Sequence, residues 1–165
     1  MNDQSKTIKL TQGYETIVDV EDYEELNKFK WYYADGYVVR TECKKGKNKQ
    51  IYIHRIILGL DFGDKRQGDH INHNGLDNRK TNLRAVTHQQ NAMNGLSHKD
   101  SVSKHKGVCW HKGVRKWVAR VSINGKQKNL GCFISEDDAA RAYNKAAEKL
   151  FGEYAVLNNR AEVMQ

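Results

Sequence analysis

Proline is absent from all 165 residues, so Gly, Asn and Asp must make every turn. Asn-Gly pairs stand at Asn74-Gly75, Asn94-Gly95 and Asn124-Gly125, a strong hairpin signal where strand patterns flank them. Cysteine is scarce: Cys43, Cys109 and Cys132, with no C-x-x-C pair. That spacing excludes a zinc knuckle of the usual kind, and an odd count argues against a disulfide framework. The expectation is three reduced thiols and no structural zinc. No apolar run approaches the roughly 18 residues of a membrane span. The polar stretch from Met1 to Lys9 does not read as a signal peptide. These absences predict a soluble, intracellular, cytoplasmic protein. Hydrophobic residues make up only 38%, which favours two or three small cores over one large one.

Positive charge is what the chain has in excess. The formal net charge is +8, which points to an anionic partner. Residues 1–96 carry 15 Lys/Arg against 13 Asp/Glu, and residues 97–165 carry 13 against 7. Between Lys99 and Ile134 there are nine basic residues and one acidic. A focused basic stretch is the footprint of nucleic-acid binding. We therefore divide the chain into a first domain (1–96), a Ser/Lys/Asp-rich linker (97–104), a second domain (105–159) and a tail (160–165).

The first domain reads as mixed strand and helix. Thr7 to Thr11 and Tyr14 to Val20 alternate as strands, and the acidic run from Glu21 predicts a short helix. Trp31 to Tyr33 and Gly36 to Arg40 form a strand pair turning at Asp35-Gly36. Lys44 to Lys49 is a hairpin tip that either touches phosphate or is simply solvated, and it leads into a strand from Gln50 to His54.

The residues that bear chemistry lie between Gly68 and Asn94. Asp69-His70 ends an extended stretch, an Asn/Gly-rich loop follows, and Asn82 to Thr87 alternates like a returning strand. Thr87 is a plausible cap for a helix from His88 to Asn94. Phosphodiester hydrolysis needs a base for water, and a neutral imidazole suits that task near pH 7. It also benefits from a hard cation where negative charge builds, held by one or two protein oxygens. If strand and helix pack face to face, Asp69 and Asn91 can grip one metal while His70 faces the phosphate.

Asp69-His70, Asn82-Leu83 and Asn91, with His54-Arg55 upstream and the loop Asn74 to Arg79, resemble the HNH (His-Me finger) nuclease motif. The phage and intron-encoded subgroup is the nearest in pattern, and the resemblance covers roughly residues 7–94. It implies a ββα-metal core over about 66–95. In that core His70 is the general base, Asp69 and Asn91 are metal ligands, and Asn82 pins the loop and orients His70. The metal it implies is Mg²⁺, with Mn²⁺ as the alternative. The second histidine of the motif is Asn91 here. His73 and His88 are either surface residues or lie close enough to reach phosphate or metal. His54 either supports the fold or contacts phosphate, and Arg55 accompanies it.

Residues 106–158 carry another pattern. Lys106 to Lys112, Arg115 to Ile123 and Lys126 to Phe133 read as three strands. In the second, Trp117, Ala119, Val121 and Ile123 share one face, and Lys116, Val118, Arg120 and Ser122 share the other. Ser135 caps a helix in which Ala139, Ala142, Tyr143, Ala146 and Leu150 recur at helical spacing. A basic sheet face can lie in a DNA major groove. Gly107-Val108, Trp110, Trp117 to Arg120, Leu130-Gly131, Phe133, Ala139 to Tyr143 and Ala155 to Asn158 resemble the AP2 DNA-binding domain. That resemblance implies Lys106, Trp110, Arg115, Trp117 and Arg120 as DNA contacts, with Lys112 on phosphate or solvated. Trp110 and Trp117 fit the sheet–helix core as an alternative.

The fold expected is thus α+β, an HNH nuclease core followed by a small AP2-like domain. The function expected is a homing-type, metal-dependent DNA endonuclease acting on double-stranded DNA as a monomer, phage-encoded and working in a bacterial host. The alternatives are a non-catalytic DNA-binding regulator that keeps the nuclease fold as scaffold, and an RNA-binding protein.

Overall fold

Turn chemistry places the hairpins. Asp35 (φ 50°) and Gly36 (φ 87°) sit in the left-handed region between two antiparallel strands, as do Asn124 (φ 51°) and Gly125 (φ 73°). Two consecutive positive φ values are what a tight hairpin turn demands. In the computed structural model, residues 4–44, 46–95 and 102–158 are described. Residues 97–101 of the expected linker, the tail 160–165 and Lys45 of the basic hairpin tip lie outside them. The chain divides into two compact units, Met1–His88 and Gln89–Gln165. The architecture is α+β.

In the first unit, β1 (Ser5–Lys9) and β2 (Glu15–Asp19) form a hairpin followed by α1 (Val20–Leu26). A three-stranded antiparallel sheet follows, made of β3 (Tyr32–Ala34), β4 (Tyr37–Lys44) and β5 (Lys47–Tyr52). The strand expected to run to His54 stops at Tyr52. Ile53 to Ile57 instead form a short helix, α2, which carries His54 inward. The last pair is β6 (Gln67–His70) with β7 (Leu83–Val86). The core gathers Ile8, Leu10, Val18, Leu26, Trp31, Val38 and Ile53. Trp31 is fully buried, and its indole N–H donates to Leu26 O at 2.8 Å. At roughly 25 cal/mol per Å² over the ~200 Å² that such a ring buries, it contributes about 5 kcal/mol.

The second unit holds α3 (His88–Asn94) apart from its first residue, and a sheet of β8 (Val108–His111), β9 (Lys116–Ile123) and β10 (Lys126–Phe133). Helix α4 (Glu136–Phe151) backs that sheet. Ser135 caps it, accepting from Asp137 N at 3.2 Å. Ala139, Ala140, Tyr143 and Ala147 are buried against Val108, Ala119 and Val121; small alanines let helix and sheet approach closely. Gly107 is required for that approach, since a Cβ there would lie 2.1 Å from the Tyr143 ring. Asn158 clamps the start of β8, accepting from Lys106 N and donating to Lys106 O. No helix among the described residues is long and apolar enough to cross a membrane.

Candidate active site

Asp69 and His70 end β6, and both are buried, 6% and 5% exposed. The β6–β7 register sets Asp69 opposite Arg84 and His70 opposite Leu83. Arg84 Nε donates to Asp69 Oδ2 at 2.8 Å, so the carboxylate is both oriented and partly neutralised. Four asparagines, Asn72, Asn74, Asn78 and Asn82, hold much of the next loop, 71–82. Asn82 accepts from Asn72 N at 3.0 Å and donates to Asn72 Oδ1 at 2.9 Å and Asp77 O at 2.7 Å. These bonds tie Asn72 and Asp77 together across the loop. The ring of His70, however, meets a different asparagine, with Nε2 3.1 Å from Asn78 Oδ1.

Asn78 and Thr16 are both fully buried. Asn78 Nδ2 donates to Thr16 Oγ1 at 2.8 Å and to Gly75 O at 3.0 Å, and Thr16 Oγ1 donates to Leu76 O at 2.8 Å. Backbone bonds hold this loop on β2: Ile17 N to Leu76 O at 2.9 Å and Asn78 N to Ile17 O at 2.8 Å. Gly75 passes so close to the β3–β4 turn that a Cβ would sit 1.8 Å from Gly36 O.

Behind His70 stands an aromatic group. Its ring lies 5.2 Å from that of His54, edge-on, and 5.9 Å from that of Tyr37. Tyr52 packs against both Tyr37 and His54. Gly68 makes room, because a Cβ there would lie 2.3 Å from His54 Cδ2. Burial, the nearby His70 and the Arg55 charge push the His54 pKa down to about 3, so this ring is neutral at pH 7. Its Nδ1 is buried without a hydrogen-bond partner. Burial also holds the His70 imidazole below its usual value, against the opposing pull of the Asn78 hydrogen bond and the Asp69 and Asp77 carboxylates. A neutral imidazole at pH 7 can take a proton.

The remaining expected residues divide clearly. Arg55 serves the fold: its guanidinium donates to the carbonyls of Arg66, Asp61 and Asp64. His73 is exposed in the loop at φ 60°, and His88 is exposed at the start of α3. Asn91 lies half-buried on α3, within the second unit. No cluster of three or more His, Cys, Asp or Glu able to hold a metal occurs among the described residues. The donors named for a metal, one carboxylate and one amide oxygen, fit instead a hard cation that keeps most of its shell as water and phosphate.

On the small sheet, Trp110 pairs directly with Trp117 across β8 and β9, and their rings meet edge-on at 5.2 Å. Trp117 packs on the cluster of Val108, Ala119, Ala139 and Ala140, so this tryptophan row lies on the helix side. The opposite face carries Cys109, Lys116, Val118, Arg120, Ser122 and Cys132, by strand alternation and register. Lys106 Nζ donates to Met93 O, and burial lowers its pKa to about 8. Lys112 and Arg115 are exposed in the β8–β9 turn.

Sequence reading missed Asn78, Thr16, Arg84 and the two tyrosines. The spacing of Asp69 and Arg84 on one hairpin is a signal that could have found the ion pair. Nothing in the sequence ties Thr16 to residue 78, 62 positions away.

Residues 51–93 match the HNH endonuclease family. The chain is 35% identical over 157 residues to an uncharacterized HNH endonuclease of Acanthamoeba polyphaga mimivirus, covering 89% of this chain and 76% of that one. It is 36% identical over 62 residues to Protein 3.8 of Escherichia phage T7, covering 38% of this chain and 51% of that protein. It is also 35% identical over 88 residues to dehydration-responsive element-binding protein 2D of Arabidopsis thaliana, covering 49% of this chain and 40% of that protein. No solved structure matches. With the motif, its hairpin and a relative matched over three quarters of its length in agreement, the chain belongs to the HNH endonuclease family.

Proposed function

We propose that the protein hydrolyses phosphodiester bonds in double-stranded DNA, with His70 as general base. The observation that carries this reading is an imidazole buried at the end of β6 beside a carboxylate held by Arg84. His70 accepts a proton from a water whose oxygen attacks phosphorus. The bond from phosphorus to the 3′ oxygen breaks, leaving 5′-phosphate and 3′-hydroxyl ends. A bound divalent cation, Mg²⁺ in our reading, supplies charge neutralisation at the phosphate and the departing oxygen. Asp69 would hold it through a carboxylate oxygen, and the family resemblance assigns the second protein oxygen to Asn91. One such centre per chain nicks one strand, which suits a homing-type enzyme acting as a monomer. The test is supercoiled plasmid with Mg²⁺, with and without EDTA, followed by end mapping. Nicked circles that vanish with EDTA and carry 5′-phosphates are expected. Intact plasmid alongside tight DNA binding would leave a non-catalytic regulator.

The second unit is, in this reading, the AP2-like part that targets DNA. The element-binding relative supports that role, as does the basic stretch from Lys99 to Ile134. The DNA-facing side is the one bearing Lys116, Arg120 and Ser122, with Lys112 and Arg115 at its turn. Trp117 then acts through the core behind it, and Trp110 through its contact with Trp117. Arg120→Ala is expected to weaken duplex binding by about 1–3 kcal/mol and to flatten its salt dependence, measured by fluorescence anisotropy across a salt series.

A further inference from the structure

We propose that Thr16 and Asn78 are positioning residues that fix which nitrogen of His70 carries its proton, so that the base is set from β2, outside the segment 51–93 that matches the family. The reading of His70 as base underlies this proposal, but its geometry stands separately. A backbone carbonyl can only accept. Thr16 therefore donates its hydroxyl hydrogen to Leu76 O, 2.8 Å away, and turns its lone pairs elsewhere. One terminus of the Asn78 amide lies 2.8 Å from that hydroxyl oxygen and 3.0 Å from Gly75 O. Gly75 O is again an acceptor only, so this terminus is the NH₂ group. The flipped amide would set oxygen against oxygen in a buried place, where an unmet polar group is costly.

Asn78 Oδ1 then has to be the atom facing His70, 3.1 Å from Nε2. An amide oxygen accepts, so Nε2 carries the hydrogen. In the neutral ring the lone pair is left on Nδ1, which becomes the nitrogen that receives the proton of water. Four groups in series, Leu76 O, Thr16, Asn78 and His70, thus translate a strand-edge contact into a tautomer. Thr16 and Asn78 are fully buried, which removes water as a competing partner and leaves the direction of the chain unambiguous.

The experiment uses the full-length protein with ¹⁵N-labelled histidine. Long-range proton–nitrogen correlation spectra of the imidazoles are recorded near pH 7.5, and His70 is assigned by its loss in His70→Gln. The wild type is expected to show His70 protonated at Nε2. Thr16→Val keeps the shape and removes the hydroxyl, leaving Gly75 O alone to orient the Asn78 amide; a minor Nδ1-protonated form of His70 should then appear, and kcat should fall by up to about tenfold with KM unchanged, the worth of one neutral hydrogen bond. Thr16→Ser should restore both readouts. Asn78→Ala should lower kcat while duplex affinity holds. A wild-type His70 protonated at Nδ1 overturns the proposal, and so does a Thr16→Val protein with an unchanged tautomer and kcat. Should Thr16→Val fail to fold, the wild-type spectrum still decides. A fully active His70→Gln would remove the base assignment, and the tautomer measurement would stand untouched by it.

Discussion

Replacing His70 by Ala lowers the rate of plasmid nicking by about 10²–10⁴-fold, the usual worth of a positioned general base, and leaves duplex affinity unchanged. The two halves of that result belong together. His70 is 5% exposed and sits in the first unit, whereas the basic stretch lies between Lys99 and Ile134. Loss of cutting without loss of binding separates chemistry from targeting. Equal loss of both would mean that His70 supports the fold, because its ring also fills the aromatic group with Tyr37 and His54. Anisotropy and gel assays on the same preparation, with circular dichroism to check folding, settle which occurs.

The second large effect concerns acid. The His54 imidazole drops from its ordinary 6.5 to about 3 in the folded protein. The groups facing it are His70, Arg55, Tyr37 and Tyr52. Between those two pH values the unfolded chain binds a proton that the folded one does not. Stability is therefore full above pH 6.5, falls as pH falls through that window, and stops falling near pH 3. At ~1.36 kcal/mol per pH unit, the first unit loses about 2 kcal/mol between pH 7 and pH 5 from this ring alone. His70, also depressed by burial, adds in the same direction. Urea unfolding followed by the fluorescence of Trp31, in a Trp110→Phe/Trp117→Phe background, measures it. His54→Phe, which keeps a ring and removes the titration, should flatten the curve over that range. A wild-type curve already flat from pH 7 to 5 would contradict the burial argument.

Much of this was legible in the sequence because it rests on short-range rules. Strand alternation placed β9 and its two faces, Asp35-Gly36 and Asn124-Gly125 placed their turns, and Ser135 placed the start of α4. The expected helix from His88 to Asn94 matches α3 to the residue. What sequence could not reach was pairing across distance. Asn82 was expected to orient His70, and Asn78 makes that contact instead. Both are asparagines in one loop, and only the fold decides which one faces the ring. Trp110 and Trp117 were left between DNA contact and core for the same reason. Their direction depends on which sheet face the helix covers, and Trp117 packs on the cluster that holds Ala139 and Ala140. His54 was read within a strand, because a five-residue helix such as α2 leaves almost no periodic trace.

The side of the small sheet turned away from α4 carries a sulfur pair. Cys109, Val118 and Cys132 stand in one row across β8, β9 and β10, and both thiols are free. Two inter-strand spacings of ~4.8 Å keep their backbones about 10 Å apart, beyond the ~7 Å that a disulfide tolerates. Oxidising conditions therefore cannot staple this face shut. Each thiol reacts only with something from outside, and Cys132, the exposed one, offers a natural attachment point for a fluorophore or spin label on the very surface assigned to duplex contact.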